Sequence, residues 1–426
     1  MMRTLLFALA LLLSGCASRA SDGEEKLVSL QLLDRNGFAE TISAKDRVSS
    51  FGATDFLTPQ PYQKVLRVFE LPDGGRNFSK ITTYHSNGQL WQYLEIVSGR
   101  AHGMFREWHP NSELKIEAVV IEGTPDISPS AQTTWLFDGP SHVWDDAGHL
   151  IASISYVKGG LEGPSTYYRV DGTIEKEIPY HDDLIDGELR IFGPEGEILE
   201  RQHYVKGLRH GLSEAFWPSG DLKYHEEYAH DKLLIGTYHA LDGTLPLNIQ
   251  DGDGRQAVFD GESLFSTIEY HGGVPDGEVQ LFSPEGSLLS LYHVKNGEKE
   301  GEEWGYYPAA AGEVPRPKFY IQWRGDALQG IVKTWYESGL LESQREVSGN
   351  KRHGLAFAWF KDGDLMLMEE YDQDLLVKGS YFKKWDRTPT SRVENGKGIA
   401  TLHDADGHFL RKIPYDKGVP EPEDMR

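Results

Sequence analysis

Apolar and polar residues alternate in short runs along most of this chain, and glycines or turn tripeptides interrupt them before a helix-length stretch can build. Such runs predict strands, because successive side chains on a strand point to opposite faces. The alternation also recurs at a fixed interval. From Tyr156 the chain reads YVKGGLEGPSTYYRVDGTIEKEIP, YHDDLIDGELRIFGPEGEILERQH and YVKGLRHGLSEAFWPSGDLKYHEE, three blocks of 24 residues. In this register Gly163, Gly187 and Gly211 align, followed by Tyr168, Phe192 and Phe216, then Gly172, Gly196 and Gly220, then Ile174, Ile198 and Leu222. Tyr156, Tyr180 and Tyr204 open the blocks, and Tyr228 opens the next.

Other units match this register. Gly103 and Trp108 fit, with Ser112 in place of the turn glycine, as do Gly139, Trp144, Gly148 and Leu150. Later units begin at Gly277, Gly301, Gly330 and Gly354, and a last one holds Gly398, Gly407, Phe409 and Tyr415. A larger duplication overlies the small repeat. Adding 143 carries Gly187 to Gly330, Phe192 to Trp335, Gly196 to Gly339, Gly211 to Gly354 and Tyr228 to Tyr371, and the match runs on with small slips to Tyr270 and Tyr415.

The spacing fits hairpins. Gly163 to Tyr168 is long enough for one strand, and a second of similar length runs from the apolar position to the next tyrosine. Between them lie Val170-Asp171-Gly172, Pro194-Glu195-Gly196 and Pro218-Ser219-Gly220, reverse-turn sequences whose glycine can take positive φ. A helical solenoid needs long glycine-free stretches, whereas 46 glycines recur through nearly every unit here. The predicted fold is all-β: an elongated, single-layer antiparallel meander of stacked hairpin repeats. Equivalent residues of neighbouring hairpins then lie roughly 9.5 Å apart, so the repeat tyrosines form a ladder. One hairpin cannot bury its apolar face alone, so stability has to come from its neighbours.

The first residues have a different character. Met1 to Arg3 carry one positive side chain, an apolar run from Thr4 to Leu13 follows, and Leu13-Ser14-Gly15-Cys16 ends it. The run is too short to span a bilayer and has the form of a secretory signal. Leu13-Ser14-Gly15-Cys16 resembles a bacterial lipobox, which implies cleavage before Cys16 and acylation of that residue. It is the chain's single cysteine, so no internal disulfide can form. Ala17 follows it where the resembled sorting rule places an aspartate for inner-membrane retention, so the outer membrane is the expected location. The expected organisation is residues 1–15 as signal peptide, 16–48 as tether and N-terminal linker, 49–83 as capping segment and 84–426 as repeat array.

Formal net charge is −23, and loss of the signal peptide removes only Arg3. Such an excess of acid disfavours nucleic acid and anionic lipid surfaces as partners.

Glycines four residues apart, then paired aromatics and a turn glycine, as in Gly207-Leu208-Arg209-His210-Gly211 to Phe216-Trp217 and Gly220, resemble the MORN-repeat variant. The resemblance covers about residues 84 to 426. The whole chain is similar to lipid-anchored repeat proteins of Gram-negative bacteria, and variant-repeat proteins often bear an antitoxin-like label. That likeness implies a protein partner and supplies no catalytic residues.

Catalytic and metal motifs fit poorly. His225-Glu226-Glu227-Tyr228-Ala229-His230 places its second histidine one residue too late for a zinc-protease helix and lies on a predicted strand. Asp251-Gly252-Asp253-Gly254 and Asp404-Ala405-Asp406-Gly407 lack the full calcium-loop pattern and fall at predicted turns. His102, His210 and His353 precede repeat glycines and are consensus positions. No phosphate loop, serine elbow or cysteine nucleophile occurs. The expected function is therefore an envelope-anchored, non-enzymatic protein-binding scaffold with no cofactor and no metal. The alternatives are an antitoxin or immunity factor, an enzyme acting on envelope polysaccharide, and a role at the membrane surface.

Overall fold

A computed structural model describes residues 26–70, 78–243, 245–310 and 313–421. Cys16, the expected lipidation site, lies outside them. The described residues form thirty-six strands, antiparallel throughout, and two short helices. The all-β meander is the fold that the alternation and turn spacing predict. Two compact units divide the chain, Met1–Ile174 with Tyr180–Asp183 and Glu175–Pro179 with Leu184–Arg426.

In the first unit the strand Lys26–Leu33 lies between Ala39–Ile42 and Lys64–Glu70. From there the meander runs through Phe78–Tyr84, Leu90–Val97, Arg100–Trp108 and Leu114–Glu122. The sequence reading carried a linker to residue 48, but the chain already joins the sheet at Lys26. Leu30 and Leu32 alternate inward with Ile42 and Val65 and are buried with them, which offsets the entropy of ordering this segment. The edge that residues 49–83 were expected to cap is Ala39–Ile42, while Lys64–Glu70 is an interior strand. The helix Lys45–Ser49 and Phe56 cover the core beside that edge. A second core gathers Leu94, Phe105, Val120 and Trp135, with the Phe105 and Trp135 rings 4.9 Å apart.

The second unit is itself a meander, and two turn types alternate along it. At one end of many hairpins a type I turn closes on a positive-φ glycine. Gly220 N donates to Trp217 O at 2.8 Å, and Trp217 N donates to Asp221 O at 2.8 Å. Gly196, and Gly172 in the first unit, repeat this arrangement, and φ is +83° at Gly172, +84° at Gly196 and +87° at Gly220. At the other end are two-residue turns with both φ positive, as at His230-Asp231 and Gln373-Asp374, whose twist matches that of the strands.

The other repeat glycines differ from the simple expectation. Gly163 and Gly187 open strands after a break, but Gly211 lies inside the strand Leu208–Phe216, where the register slips between Gln202 and Tyr204. Gly211 is a bulge residue with φ +92°. A side chain from the preceding strand caps several such bulges. Glu269 accepts from Glu278 N at 2.8 Å, and Gln322 accepts from Ile331 N at 2.7 Å. The carboxyl of Glu269 lies over Gly277, where an added Cβ would come within 2.4 Å of it.

Successive hairpins are stapled at their tips. Asp231 Oδ1 accepts from Arg209 N at 2.7 Å, while Asp231 N donates to Arg209 O at 2.9 Å. Asp326 with Lys299, Asn350 with Leu328 and Asp374 with Arg352 repeat the two-way contact. Each staple satisfies an amide that would otherwise lack a partner, a contribution of about 1 kcal/mol.

Candidate functional site

The repeat opened by Tyr204 and Tyr228 puts alternate residues of neighbouring strands on one face. Gln202 pairs across from Ser213, Ser213 from Glu226, and Ala215 from Tyr224. On the opposite face Arg201 pairs with Glu214 at 2.5 Å, and the His225 ring is hydrogen-bonded to the same carboxyl at 2.9 Å.

Glu226 stands at the centre of the first face and is 4% exposed. Burying a carboxyl group is costly unless its oxygens find donors. Three reach it, each at 2.8 Å: Tyr228 Oη, Tyr238 Oη and Gln256 Nε2. Gln256 Oε1 accepts from Tyr270 Oη at 3.1 Å, and Arg209 Nη1 donates to Tyr228 Oη at 3.0 Å. Tyr238 reaches the carboxyl by lying flat over Gly236, where a Cβ would stand 2.4 Å from its hydroxyl. A glycine two residues before this tyrosine is therefore part of the site.

Backbone closure holds the cluster. Leu233 N donates to Gly273 O, Gly273 N to Gly252 O and Gly252 N to Leu234 O, all at 2.9 Å, so three hairpin tips form a ring. Leu233, fully buried, sits beside Tyr228, Ile249 and Tyr270 in the core under that ring.

Beside the cluster is a cleft of about 550 Å³ whose lining includes Glu200, Arg209, Lys223, Tyr224, Gln256 and Phe259. Tyr224 Oη donates to Glu200 Oε1 at 2.6 Å, and Gln202 donates to the same carboxyl. Lys223 Nζ lies 4.5 Å from the Trp217 ring and 5.4 Å from that of Phe259, rings that meet edge to face. Burial holds the Lys223 ammonium below the usual lysine range. Burial, and then the Glu226 carboxyl, push the Tyr228 and Tyr238 phenols well above the ordinary tyrosine value, and Tyr270 is pushed up to about 12. With donors, acceptors and a cation over aromatic rings, the cleft can bind polar groups of either sense.

Of the residues singled out from sequence, Tyr228 belongs to this cluster, and Tyr204 donates to Gln202 Oε1 at 2.7 Å beside it. Tyr180 is only partly buried, and Gly163, Gly172, Gly187, Gly196, Gly211 and Gly220 shape the backbone away from the cluster. Sequence reasoning missed Glu226, Tyr238 and Gln256. Two signals were available: an acid or amide two residues before a repeat tyrosine, as in Gln202-His203-Tyr204 and Glu226-Glu227-Tyr228, and the Gly236-Thr237-Tyr238 spacing. His225 is held by Glu214, and the His230 ring packs 4.6 Å from that of His210. Among the described residues no group of three or more histidine, cysteine or acidic side chains is placed to hold a metal.

Residues 209–230 match the family described as MORN repeat variant. The chain carries a MORN-variant repeat. This MORN-variant segment runs from Arg209, through the strand pair that bears Glu226 and Tyr228, to the turn residue His230. No curated protein matches the chain in sequence. Among solved structures, one titled "Crystal Structure of TcdB2-TccC3" aligns with 94% of this chain and 25% of its own, at 11% identity and a TM-score of 0.14. Another, "Crystal Structure of TcdB2-TccC3 without hypervariable C-terminal region", aligns with 93% of this chain and 24% of its own, at 11% identity and a TM-score of 0.14. The chain thus spans about a quarter of those chains, in superpositions too poor to speak to fold or function.

Proposed function

We propose that this protein is a non-enzymatic, MORN-type repeat scaffold that binds a protein partner through the cleft beside Glu226 and is held at the outer membrane by lipid on Cys16. One observation carries the binding reading. The duplicated unit builds the same backbone with Ser343, Met366, Leu367 and Ala400 at the positions of Glu200, Lys223, Tyr224 and Gln256. The fold does not need the polar set, and half-burying it costs desolvation. Contact with a partner accounts for its presence. The carboxyls of Glu226 and Glu200 are already engaged by donors of the chain itself, an arrangement suited to positioning and not to proton transfer.

The duplication also supplies the test. Glu200→Ser, Lys223→Met, Tyr224→Leu and Gln256→Ala together give the cleft the residues its counterpart uses. In live-cell crosslinking read by mass spectrometry, the variant is expected to lose partners that the parent captures, while its melting curve stays cooperative. Undiminished capture by a folded variant would remove the cleft from the function. For the anchor, metabolic labelling with an alkyne fatty acid should mark the parent and not Cys16→Ser; equal labelling of both refutes the lipid assignment.

A further inference from the structure

The duplication also changes what the sheet presents on the face away from Glu226 and Glu369. In the first copy one row of this face crosses the strands from Glu177 through Arg190, Arg201 and Glu214 to His225, each directly opposite the next. Its charges are met within the chain. Arg190 pairs with Glu177 at 3.5 Å, Arg201 pairs with Glu214 at 2.5 Å, and the His225 ring is hydrogen-bonded to Glu214 at 2.9 Å. In the second copy the same row, in the same register and 143 residues on, reads Tyr320, Lys333, Gln344, Phe357 and Met368. Both carboxylates are replaced by aromatic rings, and one cation is left.

Trp304, opposite Tyr320, extends this row. Its ring meets that of Trp335 at 5.9 Å and an interplanar angle of 23°, the two tryptophans coming from strands on either side of Pro317–Arg324. Tyr320 between them is buried, and its hydroxyl donates to Glu302 Oε1 at 2.8 Å. Further along, the Phe357 and Trp359 rings stack at 5.9 Å, and Met368 and Leu355 beside them are each 41% exposed. Lys333 and Gln344 lie half-buried on the strands between Tyr320 and Phe357. Among the described residues no carboxylate pairs with the Lys333 ammonium.

The backbone does not need this surface, because the first copy builds the same strands under a row of charges. From Trp304 to Met368 the row crosses five strand spacings, roughly 24 Å. Rich in aromatic rings and methionine and poor in charge, it has the composition of the centre of a protein interface. The flexible Met368 suits an uneven apolar partner. A half-buried ammonium calls for a counter-charge. Glu177 supplies one to Arg190 in the first copy, whereas Tyr320 leaves Lys333 without it. We propose that the face from Trp304 to Met368 docks a protein partner whose contact surface is apolar around one carboxylate, and that this carboxylate pairs with Lys333. The same row of a second copy would bring Lys333 and no carboxylate. The surface is separate from the Glu226 cleft, which belongs to the first copy and the other face of its strands.

The test puts a photo-crosslinking residue on this face of the full chain, Met368→p-benzoylphenylalanine, in live cells. A discrete protein adduct is expected, kept by Lys333→Arg and reduced about tenfold or more by Lys333→Glu. Mass spectrometry then locates the partner's contact segment. Changing the acidic residue of that segment to lysine should remove the adduct with the parent and restore it with Lys333→Glu, a reversal that misfolding does not produce. Absence of a protein adduct, an adduct indifferent to Lys333→Glu, or failure of the charge exchange to restore it overturns the proposal. So does an adduct of two copies of this chain, or one that carries polysaccharide in place of protein. The four substitutions in the cleft leave Lys333 and Met368 in place, so the two surfaces fail separately.

Discussion

Two stretches of the second unit, residues 200–282 and 343–421, share a backbone plan and differ inside it. Both close three hairpin tips into a ring. In the second copy Leu376 N donates to Gly418 O at 3.0 Å, Gly418 N to Gly396 O at 2.9 Å and Gly396 N to Val377 O at 2.9 Å, matching the ring at Leu233. Both fold a tyrosine back over a glycine onto a carboxyl. Tyr381 Oη meets Glu369 Oε1 at 2.7 Å, and Tyr371 Oη meets Glu369 Oε2 at 3.0 Å. Around that shared centre, the first copy has Gln256, Lys223 and Tyr224, and the second has Ala400, Met366 and Leu367. Both lay an arginine over the repeat tyrosine, Arg209 at 5.2 Å from the Tyr228 ring and Arg352 at 4.1 Å from that of Tyr371, and the second bonds its guanidinium to Asp374 at 3.2 Å. What the copies share is what the fold requires. What they do not share, the backbone plan does not need.

The comparison breaks most easily at the rings. Leu233 and Leu376 are both fully buried, so Leu233→Ala and Leu376→Ala should each cost about 2–5 kcal/mol. Chemical denaturation will measure this, and a large loss at one site with almost none at the other would show that the rings are not equivalent supports.

The carboxyls sharpen it. Glu226→Ala strands three donors where Glu369→Ala strands two, at about 1–3 kcal/mol for each buried group left unmet. The Glu226 variant should therefore be the less stable by about 1 kcal/mol, and adding Gln256→Ala to it should narrow the gap. A Glu369→Ala variant that proved the weaker would point to Arg352 as the dominant partner in the second copy.

Turn glycines should behave alike in both copies. Gly196 and Gly339 have φ of +84° and +88°, and a Cβ at either would meet nothing within 4 Å. Gly196→Val and Gly339→Val thus isolate backbone strain and should each cost about 1 kcal/mol in melting experiments. Asparagine, which tolerates this region better, should recover part of the loss.

The last effect is absent at neutral pH. The buried tyrosines titrate above their unfolded value near about 10, chiefly through burial and then through Glu226 or Glu369. A raised folded pKa means that the stabilisation is complete below pH 10 and is lost as pH rises through about 12, where Tyr270 titrates, and beyond. Stability should fall with pH above 10, and Tyr238→Phe should make that slope shallower. Tyrosinate absorbance rising fully before unfolding would contradict the buried cluster.

Strand content, the hairpin period, the turn glycines and the duplication were all legible in the order of residues, because each is a local property. A type I turn closing on Gly220 needs only a few consecutive residues, and side-chain alternation needs only a strand. The 143-residue offset was visible because copied residues keep their order. Whatever depends on residues distant in sequence was settled by the folded sheet. Glu226 meets Tyr238 twelve residues on and Gln256 thirty residues on only because the ring at Leu233 folds three hairpins over one another. The bulge at Gly211 likewise shows itself only against the partner strand, since a bulge is a mismatch between two registers. Lys26–Leu33 joins the sheet through residues 64–70, a contact that charge and composition around Lys26 do not announce. Local propensity chose the parts, and the long-range burial of a few tyrosines and leucines around one carboxyl in each copy chose how they meet.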